Sequence, residues 1–186
     1  MSDKAKTKKS SSRRSAGPEY ARNLVFFINN QRVDVADPDP TVLLVDYLRS
    51  PEVGLTGTKK SCGQGGCGAC TVMLSSYDAA TDTVKNRSIN SCLRPICSLD
   101  GMAVTTVEGI GTPEKMNAVQ KAFVEHDAQQ CGFCTPGFVV ACTAFVRQHP
   151  NASIDEVRTG LGGNLCRCGT YAGMMLAAVD AAKGGA

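Results

Sequence analysis

The chain has 186 residues, of which 42% are hydrophobic and 20% charged, and its formal net charge is +3 at pH 7. This length accommodates two small domains and leaves too few residues for a large catalytic domain. No stretch approaches the roughly 18 apolar residues of a membrane span or has the apolar core of a signal peptide, so we expect a cytoplasmic chain whose thiols stay reduced.

The basic charge is concentrated at the start of the chain. Six lysine and arginine residues lie in the first twenty positions, against only Asp3 and Glu19, so the remainder of the chain is slightly acidic. A short Lys- and Ser-rich segment with few apolar residues cannot bury enough surface to fold. We therefore predict that residues 1–21 form a disordered basic tail, and nothing else in the sequence supports nucleic-acid binding.

Residues 22–108 are predicted to form a small α+β domain. Asn29 and Asn30 tolerate positive φ and separate two strand-like segments, which predicts a β-hairpin. Thr41 is expected to cap a short helix that ends before Pro51. Strands are predicted at 24–28, 31–35, 71–74, 84–91 and 102–107, with a glycine-rich loop at 54–70 and a polar turn at 75–83.

After residue 109 the hydrophobic spacing changes from the period of strands to that of helices. The domain boundary is therefore predicted near 109, with a four-helix domain over residues 109–186. Thr135 and Pro136 are expected to begin a buried helix, because threonine caps helices and proline suits the first helical position. A capping box at Ser153 begins another helix, and the outer two are expected near 116–126 and 172–182.

Eight of the ten cysteines fall into two ordered sets of four. Cys62, Cys67, Cys70 and then Cys92 have the C-x4-C-x2-C…C spacing of plant-type [2Fe-2S] clusters. The intervening glycines let the loop turn sharply and point backbone N–H groups at the sulfurs. Zinc is the alternative metal, although zinc sites favour closely spaced pairs of ligands. Cys97 competes with Cys92 as the fourth ligand; we prefer Cys92 and expect Cys97 to be a buried thiol.

The second set consists of Cys131, Cys134, Cys166 and Cys168. Its C-x-C pair brings two neighbouring thiolates to one metal centre only where the backbone bends, as the glycines around it allow. By spacing alone, zinc remains a competitor for this set. Two metal centres in one chain suggest a path for electrons. The remaining cysteine, Cys142, is expected to lie in the core.

Longer motifs around these cysteines carry a family resemblance. Residues 130–137 (QCGFCTPG) and 163–168 (GNLCRC) closely resemble the helical [2Fe-2S] domain of the molybdenum hydroxylases, the xanthine dehydrogenase and aldehyde oxidase family. Residues 43–49, the Cys62 loop and residues 90–95 resemble the same family's ferredoxin-like domain. The resemblance implies an α+β fold in which a β-grasp, plant-type ferredoxin-like domain precedes an all-α four-helix [2Fe-2S] domain.

The resemblance also implies a function. The chain would be the electron-transfer subunit of a multi-subunit enzyme that oxidises aldehydes or N-heteroaromatic compounds. A large partner subunit would hold the molybdopterin cofactor and the catalytic residues, and an FAD-binding subunit or a c-type cytochrome carrying haem would accept the electrons. Co-export with a partner would make the chain periplasmic. The alternative is a free-standing ferredoxin-like redox carrier or sensor.

The resemblance assigns the site residues as well. All eight cysteines would ligate two [2Fe-2S] clusters, with the Cys131 set nearer the molybdenum. Gln130 and the region of Cys168 would approach the pterin. Arg167 is expected at a subunit interface, and no residue of this chain is expected to act as a catalytic acid or base.

Overall fold

A computed structural model describes residues 22–184. The predicted basic tail at residues 1–21 lies outside the described residues. A five-stranded sheet with strand order β2-β1-β5-β3-β4 comes first in the chain, and most of the helices follow it. The strands are β1 (Asn23–Ile28), β2 (Gln31–Ala36), β3 (Thr71–Asp78), β4 (Thr83–Asn90) and β5 (Ala103–Thr105).

The first two strands form the predicted hairpin. Asn29 and Asn30 lie at its turn with φ angles of 48° and 67°, a region that asparagine tolerates better than most residues. β1 pairs in parallel with β5, and β5 pairs antiparallel with β3. Helix α1 (Leu44–Arg49) packs on one face of this mixed sheet. The α+β, ferredoxin-like fold of the first half is therefore confirmed. The core residues include Phe26, Leu44, Leu48, Val72, Leu99 and Val104.

Two local predictions in this half were wrong. Helix α1 begins at Leu44 rather than at Thr41, because the Thr41 hydroxyl is already engaged with Asp39 at 2.7 Å. Strand β3 continues to Asp78, through residues expected to form a turn. Its polar end pairs with β4, where the Ser75 hydroxyl donates to Asn86 Oδ1 at 2.6 Å.

The second half contains the predicted helices. A short helix, α2 (Val107–Ile110), precedes α3 (Ala118–Glu125), α4 (Thr135–Val146), α5 (Ile154–Gly160) and α6 (Tyr171–Lys183). The capping box at Ser153 is confirmed, since its side chain accepts a hydrogen bond from the Glu156 N–H. Thr135 is not the N-cap of α4; Cys134 occupies that position, and no side chain caps the helix.

Helix α4 joins the two halves. Val140 and Ala144 of α4 pack against Met73 of β3, on the face of β3 opposite to that of its neighbour Val72, which belongs to the core with α1. Near the end of α4, Gln148 Nε2 donates to the Asn86 carbonyl at 2.6 Å. The sheet thus lies between α1 and α4. Among residues 22–184, no helix has the length and apolar character needed to cross a bilayer.

Candidate metal centres

The first cysteine set is assembled by a glycine-rich loop and a β-hairpin. Cys70 immediately precedes β3, and Cys92 lies in a single 3₁₀ turn just after β4. The register of these strands pairs Thr71 with Asn90, so the hairpin brings the two cysteines together although they are far apart in sequence. The loop that carries the other cysteines turns at Gly65, whose φ of 77° is a conformation that glycine adopts without steric cost.

Backbone N–H groups point at the sulfur atoms of this set. The N–H of Gln64 donates to Cys62 Sγ at 3.5 Å, and the N–H of Gly65 donates to Cys92 Sγ at 3.2 Å. Such donors stabilise negative charge on sulfur. The loop therefore has the form expected of a binding loop for a thiolate-ligated centre.

The four sulfurs of the first set interact electrostatically, most closely in two pairs. Cys67 is paired with Cys62, and Cys70 is paired with Cys92. The Gln64 N–H, helped by Cys67, lowers the pKa of Cys62 to about 6. Burial, helped by Cys70, raises the pKa of Cys92 to about 11. One pair thus lies at the surface and the other in the interior.

The second set is assembled by two loops between helices. Cys131 and Cys134 lie between α3 and α4, whereas Cys166 and Cys168 lie between α5 and α6. Its sulfurs also interact electrostatically, most closely in two pairs: Cys168 with Cys131, and Cys134 with Cys166. Cys131 and Cys168 are exposed, while Cys166 is buried and Cys134 half-buried. The second set therefore repeats the outer and inner pairs of the first.

The two thiols of the inner pair of the second set, Cys134 and Cys166, differ in pKa. Burial raises the pKa of Cys134 to about 12. Burial also acts to raise the pKa of Cys166, but hydrogen bonds from Thr170, Cys134 and Gly169 together outweigh it and bring that pKa down to about 7. Thr170 Oγ1 lies 3.2 Å from Cys166 Sγ. One thiol of this pair is consequently much more easily ionised than the other.

The donor set fits a two-iron cluster at each site. A [2Fe-2S] cluster is held by four cysteine thiolates, and each set supplies four cysteines, two of them nearer the surface and two nearer the interior. Within residues 22–184, no group of three or more His, Cys, Asp or Glu side chains lies close enough together to hold a single metal ion. The assignment of the eight cysteines as ligands stays a prediction that this arrangement favours.

The positions of the other predicted residues can be compared with their expected exposure. Gln130 and Arg167 are exposed, as is Cys168. Cys142 is fully buried in the helical core, as expected. The prediction for Cys97 was wrong, because its side chain is exposed.

Cys97 belongs to a 3₁₀ turn, Ile96–Leu99, whose two ends fill the core instead. Its sulfur lies 3.8 Å from the Pro38 carbonyl oxygen. This placement agrees with the preference for Cys92 over Cys97 as the fourth ligand.

Two residues that support the second set were missed. The Tyr171 hydroxyl accepts a hydrogen bond from the Cys166 N–H at 2.7 Å, and Asn164 reaches across to the first loop, with its Nδ2 donating to the Gly68 carbonyl at 3.0 Å. The sequence signals for these residues were the motif at residues 163–168, which contains Asn164, and the closeness of both residues to Cys166. The two cysteine sets are neighbours in space, because a cavity of about 340 Å³ is lined by Cys67 together with Cys131, Cys134 and Cys166.

Comparison with known proteins gives two family matches. Residues 26–97 match a family model described as a 2Fe-2S iron-sulfur cluster binding domain, and residues 106–179 match one described as a [2Fe-2S] binding domain. Each match contains four of the eight predicted ligands.

Relatives and a solved structure agree with these matches. The chain is 50% identical to aldehyde oxidase 1 of Rattus norvegicus over 149 residues, 80% of this chain, and 48% identical to the xanthine dehydrogenase/oxidase of the same species over 151 residues, 81% of this chain. It spans only 11% of the length of these curated relatives. Quinoline 2-oxidoreductase from Pseudomonas putida 86 matches with a TM-score of 0.74 and 36% identity, over 88% of this chain and 94% of that chain. The chain therefore belongs to the xanthine dehydrogenase and aldehyde oxidase family of molybdenum hydroxylases, and it corresponds to their iron–sulfur region.

Proposed function

We propose that this chain is the iron–sulfur electron-transfer subunit of a multi-subunit molybdenum hydroxylase that oxidises aldehydes or N-heteroaromatic compounds. The observation that carries the proposal is the presence of two cysteine quartets, each with two more exposed and two more buried members, in adjoining loops. The match along 94% of a quinoline 2-oxidoreductase chain supports it. A [2Fe-2S] cluster, when bound, takes up and releases one electron at a time, which divides a two-electron oxidation into single steps.

The two cysteine sets have different roles in this electron transfer. The Cys62 set holds the cluster that faces the electron acceptor, and the Cys131 set holds the cluster that faces the molybdopterin of the large partner subunit. Gln130 and Cys168, both exposed, approach that pterin across the subunit interface. We also propose that the chain divides into its two domains near residue 109.

The proposal extends to the partners and the compartment. The acceptor is an FAD-binding subunit or a c-type cytochrome subunit carrying haem. The complex works in the cytoplasm, where thiols stay reduced, unless a partner's signal exports it to the periplasm.

The test is a metal analysis of the purified complex. We expect about four irons and an equal amount of labile sulfide per chain, two distinguishable [2Fe-2S] signals by electron paramagnetic resonance, and co-purification with a larger, molybdenum-containing chain. A colourless, zinc-containing protein would contradict the cluster assignment. Full iron content in a chain that purifies without any partner would instead favour the free-standing carrier or sensor.

A further inference from the structure

One buried side chain connects the two cysteine loops directly. Asn164, only 9% exposed, lies two residues before Cys166. Its Nδ2 donates to the Gly68 carbonyl at 3.0 Å and to Thr71 Oγ1 at 3.2 Å. Both hydrogen bonds cross from the helical half to the ferredoxin-like half, and their acceptors lie on either side of Cys70. A single amide thus holds segments that carry predicted ligands of different clusters.

The packing around this amide leaves no space. A Cβ atom added at Gly68, where φ is 71°, would lie 2.6 Å from Asn164 Nδ2 and 2.7 Å from the Gly163 carbonyl oxygen. A Cβ added at Gly137, in the first turn of α4, would lie 2.4 Å from the Gly68 carbonyl oxygen. Three segments of chain therefore approach one another closely at Gly68, and only glycine permits that approach.

A further hydrogen bond between the loops depends on the same contact. The N–H of Leu165 donates to the Cys67 carbonyl oxygen at 2.9 Å. Leu165 follows Asn164 directly, and its own side chain is 57% exposed. Because the side chain of Leu165 is exposed, it contributes little to holding this segment in place. We infer that the buried amide of Asn164 holds the Leu165 N–H in position to donate to Cys67.

We propose that Asn164 is a positioning residue that docks the loop carrying Cys166 onto the loop carrying Cys67 and Cys70, and so fixes the separation of the two metal centres. The inference rests on the proposed function in treating these centres as [2Fe-2S] clusters. The magnetic interaction between two reduced clusters, and the rate at which one reduces the other, both fall steeply with separation. A loop held by the Asn164 amide keeps that separation constant.

The test compares two substitutions in the intact complex. Asn164→Asp keeps the shape of the side chain, removes both N–H donors and places a carboxylate against the Gly68 carbonyl oxygen. Asn164→Ala removes the group altogether. We expect the splitting of electron paramagnetic resonance lines between the two reduced clusters to shrink in both variants. We also expect amide hydrogen exchange at Leu165, which needs no cluster chemistry, to accelerate at least tenfold.

Gln148→Ala is the matched control. It also removes an amide hydrogen bond between the halves, from Gln148 Nε2 to the Asn86 carbonyl oxygen, but at a place remote from the cysteine loops. The line splitting and the Leu165 exchange should both stay as in the unsubstituted protein. Equal effects of Gln148→Ala and Asn164→Ala would overturn the proposal, because any loss of contact between the halves would then suffice.

Two further outcomes are decisive. Unchanged splitting and unchanged Leu165 exchange in both Asn164 variants would overturn the positioning role. If neither variant folds, Thr71→Val, which removes one acceptor of the amide, should give a smaller acceleration of Leu165 exchange; no acceleration would overturn the proposal. Absence of cluster signals from the unsubstituted protein would contradict the proposed function instead. The rate of hydrogen exchange at Leu165 would still test the positioning role of Asn164.

Discussion

The two cysteine sets reach the same arrangement of sulfurs by different structural means. In the first set, three cysteines share one glycine-rich loop, and the fourth arrives through the β3–β4 hairpin. In the second set, each of two loops between helices supplies two cysteines. The first site therefore depends on local backbone conformation, and the second depends on helix packing. Perturbations of a loop and of a helix should accordingly affect the two sites unequally.

Removal of one ligand should give the largest effect. We expect Cys67→Ala to reduce the iron content from about four to about two atoms per chain, with loss of one of the two paramagnetic signals. The second set should keep its cluster, because its four cysteines come from other loops. Cys97→Ala is the control, since this exposed thiol should leave the iron content unchanged. Loss of all iron from Cys67→Ala would show that the two sites do not form separately.

A methyl group at Gly68 should give the next largest effect. Gly68→Ala strains a residue at φ 71° and drives Cβ into Asn164 and the Gly163 carbonyl oxygen, which together cost about 3 kcal/mol. The thermal midpoint should fall by roughly 6–12 °C. Gly66→Ala, a close neighbour with no atom within 4 Å and no positive φ, is the matched control and should change the midpoint little. A similar fall in both variants would contradict the packing argument.

The corresponding change in the second set should be milder. Gly132→Ala places alanine at φ 80°, but no other atom lies within 4 Å of its Cβ. Strain alone costs about 1–2 kcal/mol, so the midpoint should fall by roughly 2–8 °C. Scanning calorimetry of Gly132→Ala beside Gly68→Ala measures the difference between the loops. A larger loss from Gly132→Ala would reverse the comparison.

The smallest effect should come from a helix cap. Ser153→Ala removes the capping box of α5, the helix that precedes Cys166 and Cys168, at a cost of about 1 kcal/mol. The midpoint should fall by roughly 2–4 °C, with faster loss of the second cluster on heating and no change in the first. Thr81→Ala, in the exposed β3–β4 turn, is the control. Equal acceleration of loss from both sites would argue against the separate dependence of the second site on helix packing.

The same contrast explains what could be predicted from the sequence. The first cysteine set was recognisable because cysteine spacing and glycine conformation are local properties. For the second set, spacing left zinc open, and only longer motifs resolved the choice, since α5 and α6 must pack before Cys166 meets Cys134. Asn164 lies inside the motif at residues 163–168, but its role could not be predicted, because its partners Gly68 and Thr71 lie more than 90 residues away.

The wrong predictions have similar physical causes. Cys97 is apolar enough for a core, but the 3₁₀ turn directs its neighbours Ile96 and Leu99 inward instead. The end of β3 looked like a turn because its residues are polar, yet its ladder with β4 provides hydrogen bonds that composition does not reveal. The first error concerns the direction of a side chain and the second the pairing of a backbone segment, and hydropathy over a few residues determines neither.

Because helix α4 packs on the sheet of the first half, replacing one half of the chain with that of a relative should disturb the contact between the halves. Helix α4 lies in the helical half by sequence, yet it covers the face of the sheet that carries Met73. A fragment that ended before α4 would leave this face open to solvent, and a foreign helical half would have to reproduce Val140 and Ala144 against it. Chimeras should therefore take β3 and α4 from the same parent, although the two elements lie in different halves of the sequence.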